Sequence, residues 1–168
     1  MEKLLTIVVP AYNVEKYIKN CLDSFIDLSV LRSLEILIVD DGSTDSTASL
    51  AHTYEKKYPY SFKVLSKENG GHGSAVNTGI ENDTGLYFKV VDSDDWVDRD
   101  FCRTLYRGAT DYGADISICS YYEVGEQGMR CGASGDGGDT VVYDRREALR
   151  LLYEDSLIRS YFWDKLFK

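Results

Sequence analysis

Apolar residues in this chain fall into short continuous runs separated by longer stripes of helical period. Leu4 to Val9 is almost entirely apolar, the pattern of a strand covered on both faces, and Pro10 closes it. The run is too short for a signal peptide and lacks a small-residue cleavage site, so it reads as a first buried strand. From Val14, apolar positions recur at Tyr17, Ile18, Cys21, Leu22 and Phe25, one stripe of an amphipathic helix with Asn13 as its N-cap. Leu34 to Val39 predicts a second strand that runs into the acidic loop Asp40-Asp41-Gly42-Ser43-Thr44-Asp45. Ala48, Ala51, Tyr54 and Tyr58 line the next helix, and Pro59 ends it. A third strand is expected over Phe62 to Leu65, then a flexible turn Asn69-Gly70-Gly71-His72-Gly73 and a helix from Ser74 to Glu81. Leu86 to Val91 predicts a fourth strand, leading into Asp92-Ser93-Asp94-Asp95-Trp96. Phe101, Leu105, Ala109 and Tyr112 mark the inner side of another helix, and Ile116 to Cys119 a further strand.

Strands alternating with helices imply parallel pairing through right-handed crossovers, so the predicted class is α/β: an open, mainly parallel sheet with helices on both faces. Composition shifts after Tyr122. Glu126-Gln127-Gly128 and the segment Gly132 to Asp139 are rich in turn formers and poor in bulky side chains, which predicts a hairpin or mobile loop. Asp144 to Tyr153 reads as a helix with Ala148, Leu149, Leu152 and Tyr153 as its apolar face. The ending from Tyr161 to Lys168 is aromatic and apolar, unlike a solvent-exposed tail, and points to a longer protein that has been cut.

Length and charge narrow the function. The 168 residues make about one domain, and no apolar run approaches the roughly 18–20 residues that cross a bilayer. The formal charge of -9 repels polyanions, so nucleic acid is not an expected partner. An acidic chain can still bind a phosphorylated small molecule through a cation, helix N-termini or backbone amides. The four cysteines are scattered, with no C-x-x-C pair, which indicates neither a zinc site nor a disulfide framework and fits thiols in a reducing cytoplasm.

The polar residues concentrate where predicted strands end. Such ends converge on one edge of a parallel sheet, beside its switch point. Gathering the carboxylates of Asp40, Asp41, Asp92, Asp94 and Asp95 there costs several kcal/mol of repulsion unless a cation neutralises them. Asp-x-Asp at a strand end can send two hard carboxylates to one side, suited to magnesium or manganese; the same residues also suit a solvated turn or, at Asp98, a helix cap. Asp40 and Asp41 divide similarly between binding a ligand and holding their loop, and Tyr12 between stacking on a base and filling the core. His72 reads as an exposed loop histidine with phosphate within conceivable reach.

Taken in order, Thr6-Ile7-Val8-Val9-Pro10-Ala11-Tyr12-Asn13, Val39-Asp40-Asp41-Gly42-Ser43-Thr44-Asp45, Glu68-Asn69-Gly70-Gly71 and Val91-Asp92-Ser93-Asp94-Asp95-Trp96 resemble the nucleotide-sugar-binding half of family 2 glycosyltransferases of the GT-A fold. The resemblance runs from about Leu4 to Asp98. It implies a nucleotide-sugar donor, most often a UDP-sugar, and a divalent metal, Mn2+ or Mg2+. By the same resemblance Pro10, Ala11, Tyr12 and Asp40 hold the base and ribose, Asp92 with Ser93 reaches the donor, Asp94 and Asp92 ligate the metal, and Glu15 and Gly71 are further donor contacts. It implies inverting transfer to a glycan or lipid-linked acceptor in cell-surface glycan synthesis, in the cytoplasm or at the inner membrane face. Residues 1–120 would then be the nucleotide-sugar-binding domain and 121–168 the start of an acceptor-side region.

Two departures stand out. Ala75-Val76-Asn77 replaces the family's frequent Ala-Arg-Asn, so an arginine contact to the donor is missing or supplied elsewhere. Glu154-Asp155 only superficially resembles the motif that supplies the catalytic base, which is expected beyond residue 168, and no catalytic residue is assigned. The alternatives are a sugar-nucleotide-binding fragment without catalysis and a sugar nucleotidyltransferase. The latter calls for a Gly-rich basic loop after the first strand, where Pro10-Ala11-Tyr12-Asn13 stands. A response-regulator receiver is disfavoured because a complete strand and helix precede Asp40-Asp41, and a dinucleotide module because Val76 breaks G-x-G-x-x-G.

Overall fold

The computed structural model describes residues 3–26, 31–98, 100–125, 128–132, 140–154 and 165–168, which fall into two compact units, Met1–Cys102 with Lys168, and Arg103–Phe167. In the first, the leading apolar run becomes β1 (Lys3–Ala11), with Ile7, Val8 and Val9 wholly buried. Burial of each such side chain is worth about 2 kcal/mol. After β1 come α1 (Ile18–Ile26), a 3-10 turn at Leu31–Ser33, β2 (Leu34–Asp40), α2 (Thr47–Lys57), β3 (Phe62–Ser66), α3 (His72–Glu81) and β4 (Gly85–Val90). The strands lie in the order β3-β2-β1-β4, each pair parallel.

Parallel strands covered on both sides explain the lack of polar alternation in β1 and β2. On one face, Val8, Val39 and Val90 pack with Ala75 and Val76 of α3. The approach there is close: a Cβ on Gly79 would lie 2.3 Å from a Val8 methyl. Right-handed crossovers put α1 and α2 against the other face. At the amino end of the sheet, the Lys3 ammonium donates to the carbonyls of Arg32 (3.1 Å), Leu34 (2.7 Å) and Tyr60, tying β1 to the starts of β2 and β3.

The second unit holds most of α4 (Phe101–Tyr112), then β5 (Ile116–Ile118), β6 (Tyr121–Gly125), β7 (Gly128–Gly132), α5 (Arg145–Tyr153) and β8 (Lys165–Phe167). β6 and β7 form the expected hairpin, whereas 133–139 lies outside the described residues. Asp98 caps the start of α4, its Oδ1 accepting from the amides of Asp100 (2.9 Å) and Phe101 (2.8 Å). Trp163 and Asp155 are also outside the described residues.

Several expectations are corrected. β5 does not extend the parallel series; it pairs antiparallel with β8, a short strand whose pairing only the folded chain reveals. Pro10 sits inside β1 rather than after it. By period two it shares Val8's orientation, so its missing N–H faces the β4 side, where pairing ends at Val90. Helix α1 begins at Ile18, after a turn closed by the Ile18 amide on the Val14 carbonyl (3.0 Å), which leaves Tyr17 exposed. On α5, Leu151 is the buried apolar residue while Leu149, Leu152 and Tyr153 are exposed; Tyr112 on α4 is likewise exposed.

The Val8–Gly79 contact makes a signed prediction. Gly79→Ala should gain up to ~1 kcal/mol of helix propensity but force a methyl onto wholly buried Val8, with net destabilisation of about 1–2 kcal/mol in urea unfolding.

Candidate functional site

β1, β2 and β4 end at one edge: Ala11 pairs with Asp40 and Val8 with Val90. The chain steps from β1 to β2 on one side and reaches β4 on the other, so the gap beyond β1 is the topological switch point. A cleft of about 530 Å3 opens there. Among the expected donor contacts, Pro10, Ala11, Tyr12 and Gly71 line it, together with Asp92, Ser93 and Asp94. Tyr12 is half exposed, leaving a ring face accessible. Asp41, Asn69 and His72 also line the cleft; Asp40 and Glu15 do not.

The loops are held by side chains reaching across to one another. Asn13, at φ 51°, does not cap its own helix; its Oδ1 accepts from the Thr44 amide (2.8 Å) and hydroxyl (3.3 Å) and from the Asp45 amide (3.4 Å). Asparagine tolerates this left-handed backbone better than most residues. Glu15 accepts from the Ser46 amide (2.9 Å), and its own amide donates to Asp45 (3.2 Å). Asp40, 5% exposed, accepts from the Ser43 amide (3.1 Å). These contacts lace the segment after β1 to the segment after β2 and fix the Tyr12 backbone between them.

Asp41 holds the glycine turn. Its carboxylate, 2% exposed, accepts from Lys67 Nζ (2.6 Å), the Gly70 amide (3.0 Å) and the Gly71 amide (2.7 Å). Burial alone would raise its pKa, but the Lys67 ammonium and the two amides outweigh burial and hold the carboxyl below its ordinary value. Gly71 needs its freedom, since its φ of 84° is strained for a side-chain-bearing residue. With the turn fixed, α3 starts at the cleft, and His72, its first residue, meets Asp92 at 3.0 Å (Nε2 to Oδ1).

The loop after β4 is electrostatically different. Burial, then the charges of Asp94 and Asp92, push the Asp95 carboxyl up. Burial and the same three aspartates also push up the Cys21 thiol, which donates to the Asp92 carbonyl (3.7 Å). Among the described residues no Lys or Arg pairs with Asp92, Asp94 or Asp95. Nor do the described residues gather three His, Cys, Asp or Glu side chains into a ready-made metal cage. The set does suit a hard dication held by one or two carboxylates with substrate phosphate completing the shell, the usual manner of Mg2+. Glu154 caps the end of α5 and pairs with Arg150 (3.1 Å). Among the described residues no helix is long and apolar enough to cross a membrane.

In sequence and in fold the chain is similar to known glycosyltransferases. The family model "Glycosyl transferase family 2" matches residues 6–157. The chain is 37% identical over 98% of its length to Glycosyltransferase GlyA of Streptococcus pneumoniae, and spans 24% of that protein. Its fold matches TarS 1-349 of S. aureus in complex with UDP (TM-score 0.65, 25% identity, 83% of this chain and 38% of that one). It also matches the mannosyltransferase PcManGT of Pyrobaculum calidifontis in complex with GDP-Man and Mn2+ (TM-score 0.64, 27% identity, 71% of this chain and 36% of that one).

Because the folded-state pKa of Asp41 is depressed, its stabilisation is present above the unfolded value of about 4 and is lost as pH falls through the folded value. Asp41→Asn should cost about 1–2 kcal/mol in urea unfolding at pH 7, and the gap from the parent should shrink as pH drops below about 4.

Proposed function

The chain belongs to glycosyl transferase family 2, and from that premise we propose that it binds the donor, a UDP-sugar, for metal-dependent inverting transfer to an acceptor hydroxyl in cell-surface glycan synthesis. The observation that carries the reading is the single cleft at the switch point, where Tyr12, Asp92 and Asp94 from separate strand ends face one space. Its volume, about 530 Å3, suits a small-molecule ligand. TarS in complex with UDP supports the choice of base, and PcManGT in complex with GDP-Man and Mn2+ supports a metal-assisted nucleotide-sugar.

In this proposal Pro10, Ala11 and Tyr12 seat the base and ribose, with Asp40 and Glu15 contributing through the loops they brace. Gly71 lets the donor approach the backbone closely, and Ser93 with Asp92 receives the ribose side. Asp94, with Asp92, would hold Mn2+ or Mg2+. When bound, that dication offsets charge developing on the departing nucleoside diphosphate. Residues 1–120 serve as the donor-binding domain and 121–168 as the start of an acceptor-side region, with a glycan or lipid-linked acceptor and a cytoplasmic setting at the inner membrane face.

Titration calorimetry of UDP, GDP and their sugar conjugates, with and without Mn2+, tests this reading. UDP should bind best and Mn2+ should tighten it at least tenfold. Asp94→Asn should abolish the Mn2+ enhancement and leave the melting temperature within about 3 °C, because the side chain is exposed. Equal Mn2+ dependence in the variant would defeat the assignment of Asp94.

A further inference from the structure

His72 is joined to Asp92 across 20 positions of sequence, from the first residue of α3 to the loop after β4, and both residues line the cleft. An ionised carboxylate only accepts hydrogen bonds, so the ring N–H is the donor. Neither side chain is there for packing: His72 is 63% exposed and Asp92 32%. As a surface ion pair it would contribute little stability. Its position is nevertheless well determined. Asp41 fixes the Gly70 and Gly71 amides immediately before His72, and Ala75, one turn later, is anchored in the core with Val8. The imidazole is therefore delivered to Asp92 by a rigid helix end. Asp94, by contrast, has no Lys or Arg partner among the described residues.

Resting on the donor-binding reading above, we propose that His72 is a positioning residue: its Nε2–H ties Oδ1 of Asp92 and thereby orients the other carboxylate oxygen, Oδ2, for the nucleotide-sugar. The two carboxylates of the Asp-x-Asp segment then differ in kind. Asp92 is a tethered acceptor whose direction is set from α3, and Asp94 is a free ligand that adjusts to what it binds. The tether also joins the glycine turn to the β4 loop, so the two sides of the cleft keep a fixed separation before donor arrives. Preorganisation of this sort raises affinity by removing an ordering cost from the binding step.

The experiment is titration calorimetry of UDP with Mn2+, and of GDP with Mn2+, into the chain and into His72→Ala, His72→Gln, Asp92→Asn and the His72→Ala/Asp92→Asn double variant. His72→Ala should weaken the better-bound nucleotide about 5- to 10-fold, the loss of one charge-assisted hydrogen bond. The Gln amide can offer an N–H at similar reach and should restore binding to within about twofold of the parent. Because His72 acts through Asp92, the double variant should bind no worse than Asp92→Asn alone. Melting temperatures of the unliganded variants should stay within about 2 °C of the parent, separating positioning from folding. Parent-like binding by His72→Ala, failure of Gln to rescue, or additive losses in the double variant would each overturn the proposal while leaving the donor reading intact. If the parent chain binds neither nucleotide, the donor reading fails and His72's role fails with it.

Discussion

A buried carboxylate has to be solvated by something, and in this fold the solvent of Asp41 is the turn from Lys67 to Gly71. The desolvation of a nearly inaccessible aspartate is met by one ammonium and two backbone amides, all from the residues after β3. That requirement pins the glycine turn to the tip of β2, gives α3 its starting point, and seats Ala75 and Gly79 on β1. The glycine-turn wall of the cleft follows from satisfying that one charge.

Two acidic segments that look alike as text are therefore physically opposite. Asp40 and Asp41 are consumed internally, one by the Ser43 amide and the other by the glycine turn. Asp92, Asp94 and Asp95 repel one another, with His72 as the polar partner of Asp92. Charge left uncompensated at a sheet edge is a feature expected of a functional site, where such carboxylates await a counter-charge. In a chain of net charge -9 the same arrangement also disfavours any polyanion that brings no cation of its own.

The parallel sheet was legible because buried strands leave a plain signature: Leu34 to Val39 and Leu5 to Val9 have little choice but to be covered on both faces. The convergence of Tyr12, Asp92 and Asp94 was legible for the same reason, since parallel strands bring their carboxyl ends together. What escaped the sequence was partner choice. Asn13 has the chemistry of a helix cap, and periodicity cannot tell whether it caps its own helix or reaches Thr44, some 31 positions away. Asp40 and Asp41 are chemically identical, and only the register of the β2 tip decides which faces the turn. His72 read only as an exposed loop histidine, because its partner Asp92 lies across the cleft. The antiparallel partner of β5 and the exposed side of α5 likewise depend on long-range packing rather than on period.

At the opposite end of the sheet, Lys3 serves as a clasp over the carbonyls of Arg32, Leu34 and Tyr60. This has a practical bearing on how the protein is handled. Trimming past residue 3, or acetylating that amine chemically, strips the charge from three oxygens and loosens the start of β1 from its neighbours. Lysine-reactive labels meant for the surface would accordingly report on sheet integrity as well as on exposure.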